Sequence, residues 1–253
     1  MLYIIGIGLS EKTDISMKGL WAIRQCQTIF LEGYTSALSS SLEEMEDFYG
    51  KKITVLDRED VEQAGDAIVE KASKSDVAFL VVGDVFSATT HIDIWLRAKK
   101  AKIPVRVIHG SSVITAVGIT GLEVYNFGKV ASIPYPKENF KVESFYDVLK
   151  MNKQNGLHTL FLLDLDPKKD KFMTVREAIN LLLEVEKSRN DKLFTEETFC
   201  VACAALGSSE PEIEYGKTRY LHNLEKEPRC LIVPGNLHFM EEEALNYWKV
   251  KHE

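Results

Sequence analysis

A chain of 253 residues, 45% of them hydrophobic and 27% charged, is long enough for one large domain or two smaller ones with a core each. A net charge of -7 argues against a surface built to hold nucleic-acid phosphates, and no apolar run approaches the roughly 20 residues that span a bilayer. The opening "MLYIIGIGLSEK" has no basic stretch and reaches glycine at once, so it reads as a first strand and not as a secretory leader. A cytoplasmic location with reduced thiols is the expectation.

The first half alternates strand-like and helix-like segments. Residues 2–9 predict a strand and turn. Residues 13–26 predict a helix capped by Thr13 or Asp14, with Ile15, Leu20, Ala22 and Ile23 on its apolar stripe. A strand at 28–34, a helix at 41–50 ending on Gly50, and a strand at 52–57 follow. Then come a helix at 58–74, a strand at 76–84, a helix at 89–102 with a basic last turn, and a strand at 104–110. Single helices between short strands predict parallel βαβ units with both sheet faces covered.

The second half has a different pattern. Residues 111–121 predict a short helix between the halves, and 128–136 a strand ending in two prolines. A helix at 144–155, the longest buried strand at 157–166, and an amphipathic helix at 174–189 with a Thr174/Glu177 capping box come next. "TFCVACAALG", "EIEYGKTRYLHNL" and "RCLIVPGNL" precede a terminal helix in "MEEEALNYWKV". A boundary near 115–128 divides the chain into domains 1–118 and 119–253, with no long linker and no internal repeat.

Three predicted strands of the first half end alike, in "IIGIGLS" (4–10), "LVVGDVFSATT" (80–90) and "RVIHGSSVITA" (106–116). Each runs into glycine and then small or hydroxyl residues before a helix. Ligands of open α/β sheets bind beyond the carboxyl ends of the strands, where glycine lets backbone approach a ligand and helix N-termini offer N–H groups. One such end is ordinary turn chemistry; three in one sheet point to a shared, adenosine-sized site. Ser87–Thr90 are expected to start the helix whose N–H groups face it, and Asp84 to accept a hydrogen bond from an amine or hydroxyl.

Other chemistries find little support. Gly6-Ile7-Gly8 with Glu32 as a ribose acid resembles a dinucleotide fingerprint, but the third glycine position is Glu11, whose carboxylate would repel a pyrophosphate. There is no P-loop and no G-x-S-x-G, and the six histidines (91, 109, 158, 222, 238, 252) have no metal-binding spacing. His91 and His109 lie near the strand ends and read as capping or packing residues. Cys200 and Cys203 form a C-x-x-C on a β-like run, where a spacing of three puts the thiols on opposite faces and makes them core. What remains is a site without metal ligands or an evident nucleophile. Methyl transfer from S-adenosylmethionine is one of several chemistries that fit it, because the donor already carries the reactive group and the protein mainly aligns an acceptor.

Seven blocks in order carry a resemblance: "YIIGIGL", "FLEGYTS" (30–36), "DREDVEQ" (57–63), "DVAFLVVGDVFSATTH" (76–91), "VIHGSSVITAVGITGLEVYNFG" (107–128), "NGLHTLFLLDLD" (155–166) and "LIVPGNLH" (231–238). Over essentially its whole length the chain resembles the diphthine synthase family, methyltransferases of the tetrapyrrole-methylase type. The resemblance implies two α/β domains, the first with a largely parallel sheet and the second with a mixed one. It also implies S-adenosylmethionine in the cleft between them, released as S-adenosylhomocysteine, no metal, and a homodimer. The implied reaction is repeated methylation of the 3-amino-3-carboxypropyl-histidine of translation elongation factor 2 to a trimethylammonium, in some members also to a methyl ester. No nucleic acid or membrane partner is implied.

The cofactor contacts that the resemblance implies are Leu9, Asp84, Ser87, Ser112, Val113, Leu163, Leu206 and Arg229; it singles out no catalytic base. Two positions depart from the family pattern: Val85 stands where a proline is usual, and Arg229 where histidine is. A tetrapyrrole or corrinoid methyltransferase of the same fold, or a non-catalytic partner of the elongation factor, are the competing readings.

Overall fold

The computed structural model describes residues 1–34, 36, 38–136, 142–166 and 169–251, with the backbone alone over 58–64. Thr35 of the "FLEGYTS" block and His252 lie outside the described residues. The chain divides into two units, Met1–Val113 and Ile114–Glu253.

The first unit is built on β1 (Leu2–Gly6), α1 (Met17–Gln25), β2 (Thr28–Glu32), α2 (Leu42–Tyr49), β3 (Thr54–Leu56), α3 (Arg58–Lys74), β4 (Val77–Val81), α4 (Ile92–Lys100) and β5 (Val105–Ile108). Its five strands lie in the order β3-β2-β4-β1-β5, all parallel. The two central strands, LYIIG and VAFLV, are buried at every position, as a sheet covered on both faces requires. Alternate residues serve alternate cores. Tyr3, Ile5, Ala78 and Leu80 pack with Leu20 and Ile23 of α1 and Met45 of α2, whereas Leu2, Ile4, Phe79 and Val81 pack with Ile68 of α3 and Ile94 and Ala98 of α4.

Helix starts follow side-chain caps. Ser41 and Glu44 form a reciprocal box before α2, which ends on Gly50 in the left-handed conformation (φ 70°). The cap of α1 is Ser16, whose hydroxyl accepts from the Gly19 N–H, and not Thr13 or Asp14. Asp14 points the other way: its Oδ2 accepts from the backbone N–H groups of Leu9, Ser10 and Glu11 and so shapes the loop after β1.

His91, just before α4, is a packing residue: it is 1% exposed, edge-on to Phe79 at 5.2 Å and Tyr34 at 6.3 Å. Neither ring nitrogen has a hydrogen-bond partner among the described residues, and burial pushes its pKa from 6.5 down to about 4. The unfolded chain therefore binds a proton near pH 6.5 that the folded chain refuses until about pH 4. Stability from this group is complete above that window and is lost as pH falls through it, by roughly 3 kcal/mol in all. Urea unfolding from pH 7 to 4 is expected to show His91→Leu gaining on the wild type by about that amount. Parallel pH profiles for the two proteins would count against it.

The second unit follows α5 (Val113–Ala116) and contains β6 (Ala131–Ile133), α6 (Ser144–Gln154), β7 (Thr159–Leu163), β8 (Leu165–Asp166), β9 (Lys171–Phe172), α7 (Val175–Arg189), β10 (Phe199–Ala204), β11 (Glu212–Lys217), β12 (Arg229–Val233) and α8 (Phe239–Leu245). Its main sheet has the order β11-β10-β12-β7-β6, with β6 and β7 parallel and the other neighbours antiparallel, while β8 and β9 pair separately. Phe161, Leu163, Cys200, Ala202 and Leu231 face α6 and α7 through Tyr146, Leu149, Ala178, Ile179 and Leu182. Cys203 lies on the opposite face from Cys200, beside Cys230 in register across β10 and β12; all these thiols are buried and free.

The strand expected over 157–166 is interrupted at Asp164. That carboxylate accepts from the N–H groups of Tyr135 and Leu165, and the chain leaves the sheet there. At its other end, fully buried His158 ties three segments together. Its Nδ1 accepts from the Gly235 N–H at 2.9 Å, so Nε2 carries the proton and donates to Glu241 Oε1 at 3.0 Å. Glu241 also accepts from the N–H groups of Glu123 and His238. Among the described residues no helix is long and apolar enough to cross a membrane.

Candidate cofactor site at the strand ends

The three glycine-terminated strand ends of the first sheet meet. A Cβ on Gly6 would stand 2.6 Å from both Gly110 N and Gly83 O, and one on Gly110 would stand 2.5 Å from Gly83 O. Backbone touches backbone at this junction, and glycine is required for that reason. Gly8 and Gly83, with φ of 87° and 84°, exchange N–H···O bonds of 2.7 and 3.4 Å. A Cβ on Gly83, by contrast, would make only ordinary contacts, 3.8 Å from Leu9 Cδ2 and from Ser111 O.

Asp84 is the hub of this end. Its Oδ1 accepts from the Phe86 N–H at 3.1 Å and the Ser87 hydroxyl at 3.0 Å; its Oδ2 accepts from His109 Nδ1 at 2.7 Å and the Gly110 N–H at 3.3 Å. Burial works against the charge, but the Phe86 N–H, His109 and Ser87 outweigh it and hold the carboxyl below the usual carboxylate range. Two donors on each oxygen fill the four accepting positions of a carboxylate. Asp84 is thus a builder of its two loops more than an open acceptor. The segment after it is a turn, with Ala88 in the left-handed region (φ 59°), and α4 begins only at Ile92. The expectation that Ser87–Thr90 open that helix is corrected: Asp84 and Thr89, whose hydroxyl donates to Val85 O, close a turn of their own.

The structure brings Leu9, Asp84, Ser87 and Ser112 to this end of the first sheet, with Val113 next in the chain at the start of α5; Asp84 and Ser112 are buried. In the second unit, Arg229 opens β12 opposite Ala204 of β10, and Leu162 pairs with Cys230, so Leu163, Leu206 and Arg229 belong to one end of that sheet. Leu163 and Leu206 are each 6% exposed. The Arg229 guanidinium donates to the carbonyls of Leu224 and Glu225 and pairs with Glu227 at 3.1 Å, which commits it to its own loop.

His109 is where reading the sequence fell short. It caps no helix and is not packed away: its side chain is 68% exposed and its Nδ1 is held by Asp84, with the Phe86 ring edge-on at 6.4 Å. Glu32 is fully buried and accepts from the Val82 N–H at 3.2 Å, which places it inside the sheet. No group of three or more His, Cys, Asp or Glu among the described residues is arranged to hold a metal ion.

Residues 1–221 match the family model of Tetrapyrrole (Corrin/Porphyrin) Methylases, and the chain belongs to that family. The diphthine methyl ester synthase of Homo sapiens is 42% identical over 272 residues, covering 99% of this chain and 95% of that protein. The diphthine synthase of Methanocaldococcus jannaschii is 44% identical over 252 residues, covering 98% of each. A crystal structure of diphthine synthase superposes with a TM-score of 0.88 at 35% identity, over 98% of this chain and 95% of that one. Within the family, the chain groups with the diphthine synthases.

Proposed function

We propose that this chain is an S-adenosylmethionine-dependent methyltransferase of diphthamide biosynthesis. It methylates the 3-amino-3-carboxypropyl-histidine of elongation factor 2 to give diphthine. The observation that carries this reading is identity above 40% along the full chain to a diphthine synthase and to a diphthine methyl ester synthase. The strand-end junction of the first unit supports it: Leu9 and the Gly83 backbone would hold the donor's methionyl part, and the Asp84 hub would keep the two loops at their separation. Ser87, Ser112 and Val113 line the same end. Leu163, Leu206 and Arg229 are proposed as further contacts on the resemblance alone, Arg229 through its backbone because its guanidinium is engaged. When bound, the cofactor supplies an electrophilic methyl group; the protein's part is to align the acceptor with it. A homodimer acting in the cytoplasm completes the proposal.

Intact-mass analysis of elongation factor 2 from cells lacking this step, incubated with the protein and S-adenosylmethionine, tests the reaction. Three added methyl groups give diphthine and a fourth the ester, while no added mass would overturn the assigned substrate. Asp84→Ala is expected to weaken S-adenosylhomocysteine binding by roughly thirtyfold, about 2 kcal/mol, with the far-ultraviolet circular dichroism retained. Unchanged affinity by calorimetry would remove this end of the sheet from the site.

A further inference from the structure

Methylating an amine poses a proton problem that methylating a carboxylate does not. The acceptor amine is an ammonium near neutral pH, with a pKa of about 8 to 10 for this kind of group. It must lose a proton before its lone pair exists. Each of three successive nitrogen methylations requires that loss again, because the secondary and tertiary amines formed are themselves protonated. A base open to solvent and held in place is therefore a chemical need of the proposed reaction.

Several titratable groups at this end of the sheet are already committed. Asp84 is held ionised and has both oxygens filled. Asp14 Oδ2 is occupied by three backbone N–H groups, and Glu32 is buried against the Val82 N–H. His91 is sealed between Phe79 and Tyr34. His109 combines exposure with a fixed orientation. A carboxylate only accepts, so the 2.7 Å contact to Asp84 assigns the proton to Nδ1 and leaves the Nε2 lone pair for another group.

We propose that His109 is the base of the nitrogen methylations, with Asp84 as the residue that positions it. The inference rests on the methyltransferase reading above. His109 Nε2 takes a proton from the acceptor ammonium. The freed nitrogen lone pair forms the new N–CH3 bond, and the bond from that methyl carbon to the donor's sulfur breaks with its electron pair staying on sulfur. The imidazolium then returns its proton to water, to which the exposed ring is open, and is ready for the next methyl. Asp84 is the charged group in contact with the ring, and it stabilises the imidazolium between those two events.

The test uses full-length protein with the amine-bearing elongation factor as acceptor. His109→Asn keeps an N–H for Asp84 but lacks the basic nitrogen. It is expected to bind S-adenosylhomocysteine within about twofold of wild type and to transfer methyl roughly a hundredfold more slowly at pH 7, the low end of what a positioned base contributes. The deficit should shrink as pH rises toward the amine's own pKa, where solvent supplies free amine. His109→Ala should regain rate with added imidazole, for which the exposed position leaves room. In cofactor-free wild type, nitrogen NMR of His109 should show the proton on Nδ1, and Asp84→Asn should disturb that tautomer. A deficit equal at pH 7 and pH 9.5, with no rescue by imidazole, would overturn the role of His109 and leave the methyltransferase reading intact. Wild-type protein that binds no S-adenosylhomocysteine would overturn both.

Discussion

Gly110→Ala is expected to destabilise the first unit by about 3 kcal/mol or more and to abolish measurable S-adenosylhomocysteine binding. The new Cβ would stand 2.5 Å from Gly83 O, 2.7 Å from Gly6 C and 2.8 Å from Gly6 O. All three are backbone atoms of neighbouring strand ends, so no rotamer change relieves the contact. Either the loops separate, which breaks the exchange between Gly8 and Gly83, or the sheet end twists; overpacking a core costs about 1–3 kcal/mol where side chains can yield, and here they cannot. Gly50→Ala is the control. Its Cβ would meet nothing within 4 Å, so only its left-handed φ of 70° penalises alanine, by about 1 kcal/mol. Urea unfolding of both variants decides: equal losses would mean that the three-strand contact constrains nothing beyond backbone conformation.

The second large effect lies in the other unit. Glu241→Ala removes the acceptor of His158 Nε2 and of the Glu123 and His238 N–H groups at one stroke, and the Glu241 and His158 side chains have no exposure. Breaking one side of such a buried pair costs about 3–5 kcal/mol, much of it from donors left without partners. Replacing both partners with Leu should cost less than the sum of the single changes. The pH dependence has a definite sign. Burial pushes the Glu241 carboxyl up, but the Glu123 and His238 N–H groups and His158 prevail and hold it below the usual value. Its contribution is therefore present above the unfolded pKa and is lost as pH falls through the folded one. Thermal denaturation of the single and double variants at pH 7 and in acid would show this; additive losses would dissolve the network into unrelated contacts.

Much of the architecture could be read from residue order. Unbroken apolar runs in LYIIG and VAFLV announced strands buried on both faces, and the Thr174/Glu177 pair marked a helix start because a capping box is local chemistry. Errors arose where a side chain overruled the pattern. Asp14 served the loop before it instead of the helix after it, and Asp164 ended a strand that hydropathy would have continued. The glycine junction was legible in outline as three similar strand endings. The Asp84–His109 contact was not. Ile5 pairs with both Leu80 and Ile108, which sets those two level, yet Asp84 lies four residues past the one and His109 a single residue past the other. Only the left-handed turn at Gly83 lets the longer loop meet the shorter.

The filled carboxylate of Asp84 bears on inhibitor design. On the proposed cofactor site, a nucleoside analogue given an extra N–H or O–H to reach that carboxylate would have to evict the Ser87 hydroxyl, His109 or a backbone amide, exchanging one hydrogen bond for another with no net gain. On the proposed site the profitable substituent is small and apolar, because Leu9 is the side chain beside Gly83 and its carbon lies 3.8 Å from where a Cβ would stand. Selectivity at this site would be won by shape and not by charge.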